Sequence, residues 1–364
     1  MSPRRDRRRR GSIRREAGPS LGGGGRLVRA LAAGLLGMAL FQGAPLAANR
    51  VVSRELLLVG GYSDREGWSG NGGHDLKNAS GIEYLERFSR EGGDFLTANL
   101  QARIAYDADE PASRAWSLDL HNAWVEHKLG LGRTLRAGHF DAAFGLEPLL
   151  DTHATIFQTL AHDNIGYKQD WGIAYSGFAG AYDYTIALQN GSGMSLQRRD
   201  GSFLATARIG TPPGRELQYG LSGMAGRVLR AERMRTFPRP PLSSDRAVRK
   251  ERLGLDAQYE VGPWAFKAET AYGRDDRRPV LGALSQLDYT IPSRQRLQLH
   301  LQGMYWDGDL RHDGSGMDHL VAGAGLTHRL DRRWSWRLAW FQPLLHGKGL
   351  EDGRFVGQVY CFAS

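Results

Sequence analysis

The chain has 364 residues, 48 of them glycine, with 10% aromatics and a formal net charge of +9. It is too aromatic for a disordered segment, and its glycines do not recur every third residue as collagen requires. Residues 1–48 hold ten arginines against Asp6 and Glu16, so 49–364 carry 38 basic and 37 acidic residues and no general electrostatic reason to bind nucleic acid. The single cysteine, Cys361, rules out an intramolecular disulfide and a haem-attachment motif, and no cofactor is implied.

At the N-terminus, Arg7 to Arg10 and then Gly22 to Gly25 form a basic, glycine-rich extension. Residues 26–48 read RLVRALAAGLLGMALFQGAPLAA. Arg26 and Arg29 flank an apolar run from Leu27 to Phe41, and Ala44, Ala47 and Ala48 supply small residues near a cleavage point. That order is the pattern of a secretory signal peptide. The division expected is 1–48 as extension plus signal peptide and 49–364 as the mature domain. No later apolar stretch is long enough for a transmembrane helix.

Period two dominates the rest. Between Phe95 and Tyr106, Leu96, Ala98, Leu100, Ala102, Ile104 and Tyr106 share one face, and Thr97, Asn99, Gln101 and Arg103 share the other. The same alternation returns at Trp264 to Tyr272, Arg296 to Tyr305 and Arg333 to Trp340. Sixteen strands are predicted, at 55–62, 80–88, 94–107, 115–129, 132–139, 171–178, 182–190, 202–209, 216–229, 248–261, 263–273, 279–290, 294–306, 317–330, 333–343 and 354–362. Many are ten residues or longer, as a tilted membrane strand requires. Aromatics near strand ends, among them Trp116, Trp124, Trp171, Trp264 and Trp306, are read as interfacial girdles. The connections alternate as well. The odd ones, such as 140–170 and 230–247, are mostly long, and the even ones, such as 130–131 and 262, are short. Bacterial outer-membrane barrels segregate their loops this way and have an even strand count. The fold expected is all-β: a transmembrane antiparallel barrel of about sixteen strands with a long, inward-folded third outer loop. Sixteen strands enclose an aqueous channel, whereas about eight are filled by side chains.

The stretch from Trp124 to Gly193 resembles porins of the phosphate-selective O/P type. An Arg-x-Gly-x-Phe strand end, here Arg136, Gly138 and Phe140, leads into Phe144-Gly145-Leu146-Glu147, and Asp170-Trp171-Gly172 returns to the next strand. The resemblance implies a sixteen-stranded barrel in the outer membrane of a Gram-negative bacterium, and suggests a homotrimer. This sequence has no counterpart of the basic ladder of the phosphate-selective members, so phosphate specificity does not carry over. Its end also departs, because Phe362 is followed by Ala363 and Ser364.

Candidate site residues follow from position. In the connection 140–170, Asp151, His153, His162, Asp163, Lys168 and Asp170 are expected to narrow the pore; an ordinary surface loop is the alternative, against which Leu149, Leu150, Ile156, Phe157 and Leu160 argue for a packed segment. Strand parity turns Arg103, Arg136, Arg208, Arg252, Lys267, Arg296, Arg333 and Arg337 towards the lumen, with Asp119, Asp183, Asp256, Glu260 and Glu269 as their acidic counterparts. Eight against five predicts a weak anion preference, and a mutually paired, neutral wall is the alternative. No metal-ligand spacing, GxSxG or HExxH occurs. The expected function is a passive outer-membrane pore for small hydrophilic solutes or ions, in contact with outer-membrane lipid. The competing readings are a structural sheath around a partner such as an electron-transfer cytochrome, or an outer-membrane hydrolase.

Overall fold

A computed structural model describes residues 47–364 apart from 66, 71–76, 109, 114, 151–154, 230–234, 238–245, 312–317 and 346–351. Sixteen long strands form the barrel: β1 (Ala47–Ser63), β2 (Asn78–Arg90), β3 (Gly93–Tyr106), β4 (Trp116–Gly130), β5 (Arg133–Asp141), β6 (Gln169–Ala179), β7 (Tyr182–Gln189), β8 (Phe203–Gly210), β9 (Leu217–Val228), β10 (Val248–Val261), β11 (Trp264–Asp275), β12 (Arg278–Thr290), β13 (Leu297–Asp307), β14 (Asp318–Arg329), β15 (Trp334–Leu345) and β16 (Arg354–Ala363). A further three-residue strand, Gly67–Ser69, folds back on the end of β1. Each long strand is antiparallel to its neighbours, and β16 pairs with β1 from Arg54–Ala363 to Ser63–Arg354, which closes the sheet and removes its edges.

β1 is longer than predicted. It begins at Ala47 rather than at residue 55, because Ala47 to Leu57 pair with β2. The turns at one end are short: 91–92, 131–132, 180–181 and 262–263 are two residues each. The long connections 142–168 and 229–247 leave the opposite, outer end. One outer connection breaks the trend, since β11 and β12 are joined by Asp276 and Arg277 alone.

The two faces differ as the alternation predicts. Along β3, Leu100, Ile104 and Tyr106 point outwards and are exposed, while Asn99, Gln101, Arg103 and Ala105 point inwards and are buried. Leu253, Leu255, Ile186 and Leu188 continue the outer apolar belt on other strands. Every backbone polar group in hydrocarbon needs an internal partner, and a closed barrel with an apolar exterior satisfies that requirement.

Parity is interrupted in the middle of β4. Gln101 faces Asn122 and Ala102 faces Leu120, so His121 is an extra residue, a β-bulge. Beyond it the even-numbered side chains turn inwards, and Trp124 packs with Phe140, Ala174 and Ala187 instead of facing lipid. Trp171 and Trp306 are also buried, at 6% and 7% exposure, and so do not belong to the girdle predicted for them. Trp116, Trp264, Tyr272, Tyr182 and Tyr219 are exposed, as interfacial rings should be.

Candidate functional site: the inward-folded third loop and the wall it faces

The loop 142–168, called L3 below, starts from a strand end that only glycine permits. Gly138 has φ +132°, and a Cβ there would overlap the Ala123 carbonyl oxygen of β4. The close approach lets Phe140 pack inside the barrel, and the chain then turns into the lumen. Phe144 lies against Gly254 of β10, where a Cβ would come within 2.8 Å of the ring.

Three amides of the next residues find acceptors on different strands. Ala143 N donates to Thr206 Oγ1 (3.2 Å), Gly145 N to Ser222 Oγ (3.0 Å) and Leu146 N to Glu269 Oε2 (3.1 Å). From the far end of L3, Asn164 Nδ2 donates to Glu269 Oε1 at 3.1 Å. Glu269 thus ties both limbs of the loop to β11. Glu147, also buried, accepts from the Thr159 hydroxyl and has Lys168 Nζ at 3.5 Å.

Apolar contacts carry the loop across the lumen. Phe144, Ile165 and Tyr167 pack with Leu204, Met224 and Val228 of β8 and β9. Leu146 and Leu160 pack with Leu284 of β12. Ile156 and Phe157 reach Ala339, Phe341, Val356 and Val59 of β15, β16 and β1. Each such buried side chain contributes about 1.5–3 kcal/mol, so the inward position is strongly held.

The predicted loop residues fall in different places. Asp151 and His153 lie outside the described residues. His162 and Asp163 sit on a one-turn helix, α1 (Ala161–Asn164), with Asp163 3.7 Å from His319. Lys168 is beside Glu147. Asp170 does not face the passage: it is 0% exposed and accepts from Gly191 N (2.6 Å), Trp171 N (2.8 Å), Ser192 N (3.4 Å) and Tyr167 OH (3.0 Å). It joins the exit of L3 to the start of the 190–202 connection.

The inward charges on the wall are largely paired. Arg103 binds Glu55, with Nη2–Oε2 at 2.8 Å, and contacts His121 Nε2 at 3.0 Å. Lys77 lies 3.6 Å from Asp119. Arg136 reaches Glu126 at 2.7 Å and stacks over Trp124 at 4.4 Å. Arg208 reaches Asp256 at 2.6 Å and Asp183 at 3.9 Å. Arg252 and Lys250 share Asp275. Lys267 Nζ donates to Asp288 Oδ2 at 2.8 Å. Arg337 donates to Gln358 Oε1 at 2.7 Å. Arg296 and Arg333 are not on the inner wall, because they lie in the short turns 291–296 and 330–333, where Arg296 donates to Leu330 O. A count of eight bases against five acids therefore does not measure the field along the passage.

Several of these partners escaped sequence reasoning. Glu126 follows the His121 bulge, so simple parity turns it outwards. Glu55 and Asp288 have the correct parity, and an inward apportioning of every strand would have found them.

Two cavities border L3 on its periplasmic side. One of about 360 Å³ lies between Leu149, Thr159 and Gln258. The other, of about 640 Å³, lies between Phe157 and the inner faces of β11–β16. No helix among the described residues is long and apolar enough to cross a membrane, and no metal-binding group of His, Cys, Asp and Glu occurs among them.

No family model and no curated protein matches the sequence. Solved structures match its fold. An anion-selective porin from Comamonas acidovorans superposes with a TM-score of 0.59 at 12% identity, over 87% of this chain and 99% of that one. OmpF of Salmonella typhi, solved with daunomycin, gives 0.62 at 10% identity, over 86% and 97%. The outer-membrane channel DcaP of Acinetobacter baumannii gives 0.56 at 11% identity, over 87% and 97%. The chain has the fold of an outer-membrane porin. At such identities the likeness extends to the porin architecture alone. A closed porin barrel with this apolar belt belongs in an outer membrane.

Proposed function

We propose that the chain is a passive pore for small hydrophilic solutes, exported by residues 1–48 and catalysing no turnover. The observation that carries this reading is L3, pinned inside the barrel by Glu269, Ser222 and Thr206 while paired polar side chains line the wall across from it. A long loop held inside the lumen narrows the passage without filling it with a separate plug domain, and polar walls favour hydrated cargo.

Pairing within the wall leaves little net field to select ions, so the expected selectivity is no stronger than a weak preference for anions. The test is planar-bilayer conductance of the refolded protein, with reversal potential in a salt gradient. Stepwise currents support the pore, and a reversal potential near zero or slightly anion-selective supports the paired wall. A heat-modifiable barrel that never conducts overturns the reading. A homotrimer is the assembly we propose to test, by native mass spectrometry of the detergent-extracted protein.

A further inference from the structure

One part of the inner wall is organised beyond what passage of ions requires. Lys267, Asp288, His300 and Thr327 come one each from β11, β12, β13 and β14. They form an unbroken chain: Lys267 Nζ to Asp288 Oδ2 at 2.8 Å, Asp288 Oδ1 to His300 Nδ1 at 2.7 Å, and His300 Nε2 to Thr327 Oγ1 at 2.8 Å. Gln286 Nε2 donates to the same Asp288 Oδ1 at 2.8 Å. On the next strand, Arg337 is the cross-strand neighbour of Thr327, and Gln298 is its neighbour on the other side. All these residues border the cavity of about 640 Å³, with Phe157 of L3 and Phe362 of β16 as apolar walls.

The geometry points to a binding site in this cavity for a neutral polyhydroxylated solute, a mono- or disaccharide; the assignment rests on the pore reading above and names its cargo. A sugar hydroxyl donates and accepts at once, so it needs a wall offering both. Carboxylate and hydroxyl oxygens keep lone pairs to accept with, and ammonium, guanidinium and amide supply donors, while the imidazole, engaged at both nitrogens, fixes Asp288 and Thr327 in place. Because the chain is bonded to itself, these groups are fixed before the solute arrives, which lowers the ordering cost of binding. At the centre of this wall an anion must break the Lys267–Asp288 pair to reach the ammonium and a cation must break it to reach the carboxylate, while Glu83, Arg329 and Arg337 place charges of both signs around the same cavity. The C–H face of a sugar ring can pack on Phe157 or Phe362 while its hydroxyls face the polar chain. The volume falls in the span of about 300–1,000 Å³ usual for small-molecule sites. A pore needs such a site to bind weakly, so that the solute also leaves.

The test uses the full barrel refolded in the sugar-free detergent lauryldimethylamine oxide, titrated calorimetrically with sucrose and with citrate, together with bilayer recordings in the presence of each. Saturable millimolar binding of sucrose, with brief interruptions of the open-channel current, is expected. Thr327→Val, which keeps the shape and removes the hydroxyl, should weaken sucrose binding about tenfold, as loss of a fixed hydrogen bond does. Asp288→Asn should weaken it at least as much, and Thr327→Val serves alone if that variant does not fold. Arg249→Gln, on the outer face, should leave binding unchanged. A conducting protein with no sucrose heat and no current interruption overturns the site and leaves the pore standing. Tighter binding of citrate than of sucrose also overturns it. Sucrose binding by a folded barrel that never conducts keeps the site and overturns the pore.

Discussion

Gly145 and Glu269 compete for one volume: a Cβ on residue 145 would overlap the Glu269 carboxylate, whose Oε2 accepts the very next amide, Leu146 N, at 3.1 Å. The glycine also has φ +64°, where other residues are strained. Gly145→Ala should therefore cost about 1–3 kcal/mol at this joint and displace L3 from β11. Single-channel conductance should change, and limited proteolysis should cut L3 faster, while the barrel stays heat-modifiable. Unchanged conductance and protease resistance would count against Glu269 as the anchor.

Asp170 joins two loops through one carboxylate. Asp170→Ala leaves Gly191 N, Trp171 N and the Tyr167 hydroxyl without their acceptor in a site closed to water. Losses of about 1–3 kcal/mol accompany each unsatisfied buried donor, so the variant should unfold at clearly lower temperature on semi-native gels. A shift of less than a few degrees would mean that water replaces the carboxylate.

The Arg103–Glu55 pair lies almost wholly out of solvent, with side-chain exposures of 9% and 3%. Glu55→Gln leaves the guanidinium uncompensated and should cost about 3–5 kcal/mol, whereas a double variant, Glu55→Gln with Arg103→Met, should recover much of it. Urea unfolding in lipid vesicles reads both. Equal losses in single and double variants would refute the pairing as the source.

Burial and the neighbouring Asp170 hold the Tyr167 phenol well above its ordinary value of 10.0. With the folded value raised, the folded barrel keeps a proton that the unfolded chain releases. This contribution is complete below pH 10 and is lost as the pH rises through the folded value. Alkaline titration followed at 295 nm should show Tyr167 ionising only with loss of L3 packing, and Tyr167→Phe should remove that late step. An ordinary titration near pH 10 would refute the buried setting.

The outward orientation of β10 can be tested directly. Leu255 is 57% exposed on the outer face. Leu255→Arg should destabilise the barrel in vesicles by about 2–4 kcal/mol if it meets the bilayer middle. Gln258→Arg on the inner face should cost far less.

The alternation is plain in the structure from Asn99 to Tyr106, because a strand's side-chain period is local and needs no partner to be read, and it breaks only at the turn end, where Leu96 and Thr97 are both buried. The same holds for the strand count and for the segregation of 142–168 from the short turns. What could not be read is whatever depends on a second strand. The His121 bulge is defined only against Gln101 and Ala102, and missing it sent Trp124 outwards and hid Glu126. The pairing of Arg208 with Asp256, or of Lys267 with Asp288, is set by register between strands. Asp170 looked like a pore charge because its sequence neighbours are polar, yet its acceptor role is fixed by Gly191 and Ser192 in a different loop. The Phe144-Gly145-Leu146-Glu147 run was visible as a motif, but its work, tying L3 to Glu269, required the opposite wall.

The upper part of β4 has its own sequel. β5 leaves it after Ala123–His139, and the open backbone at Leu118 is taken up by Phe237 of the 229–247 connection, with Leu120 N donating to Thr236 Oγ1. Were the strands inserted in order from the N-terminus, this gap would stay unfilled until β9 and β10 had arrived. On that order the fifth outer connection is a late fastening, and the seam beside the diving loop is sealed only when more than half of the polypeptide is in place. Assembly intermediates halted before β10 should bind strand-mimicking peptides at that seam, and the finished barrel should refuse them.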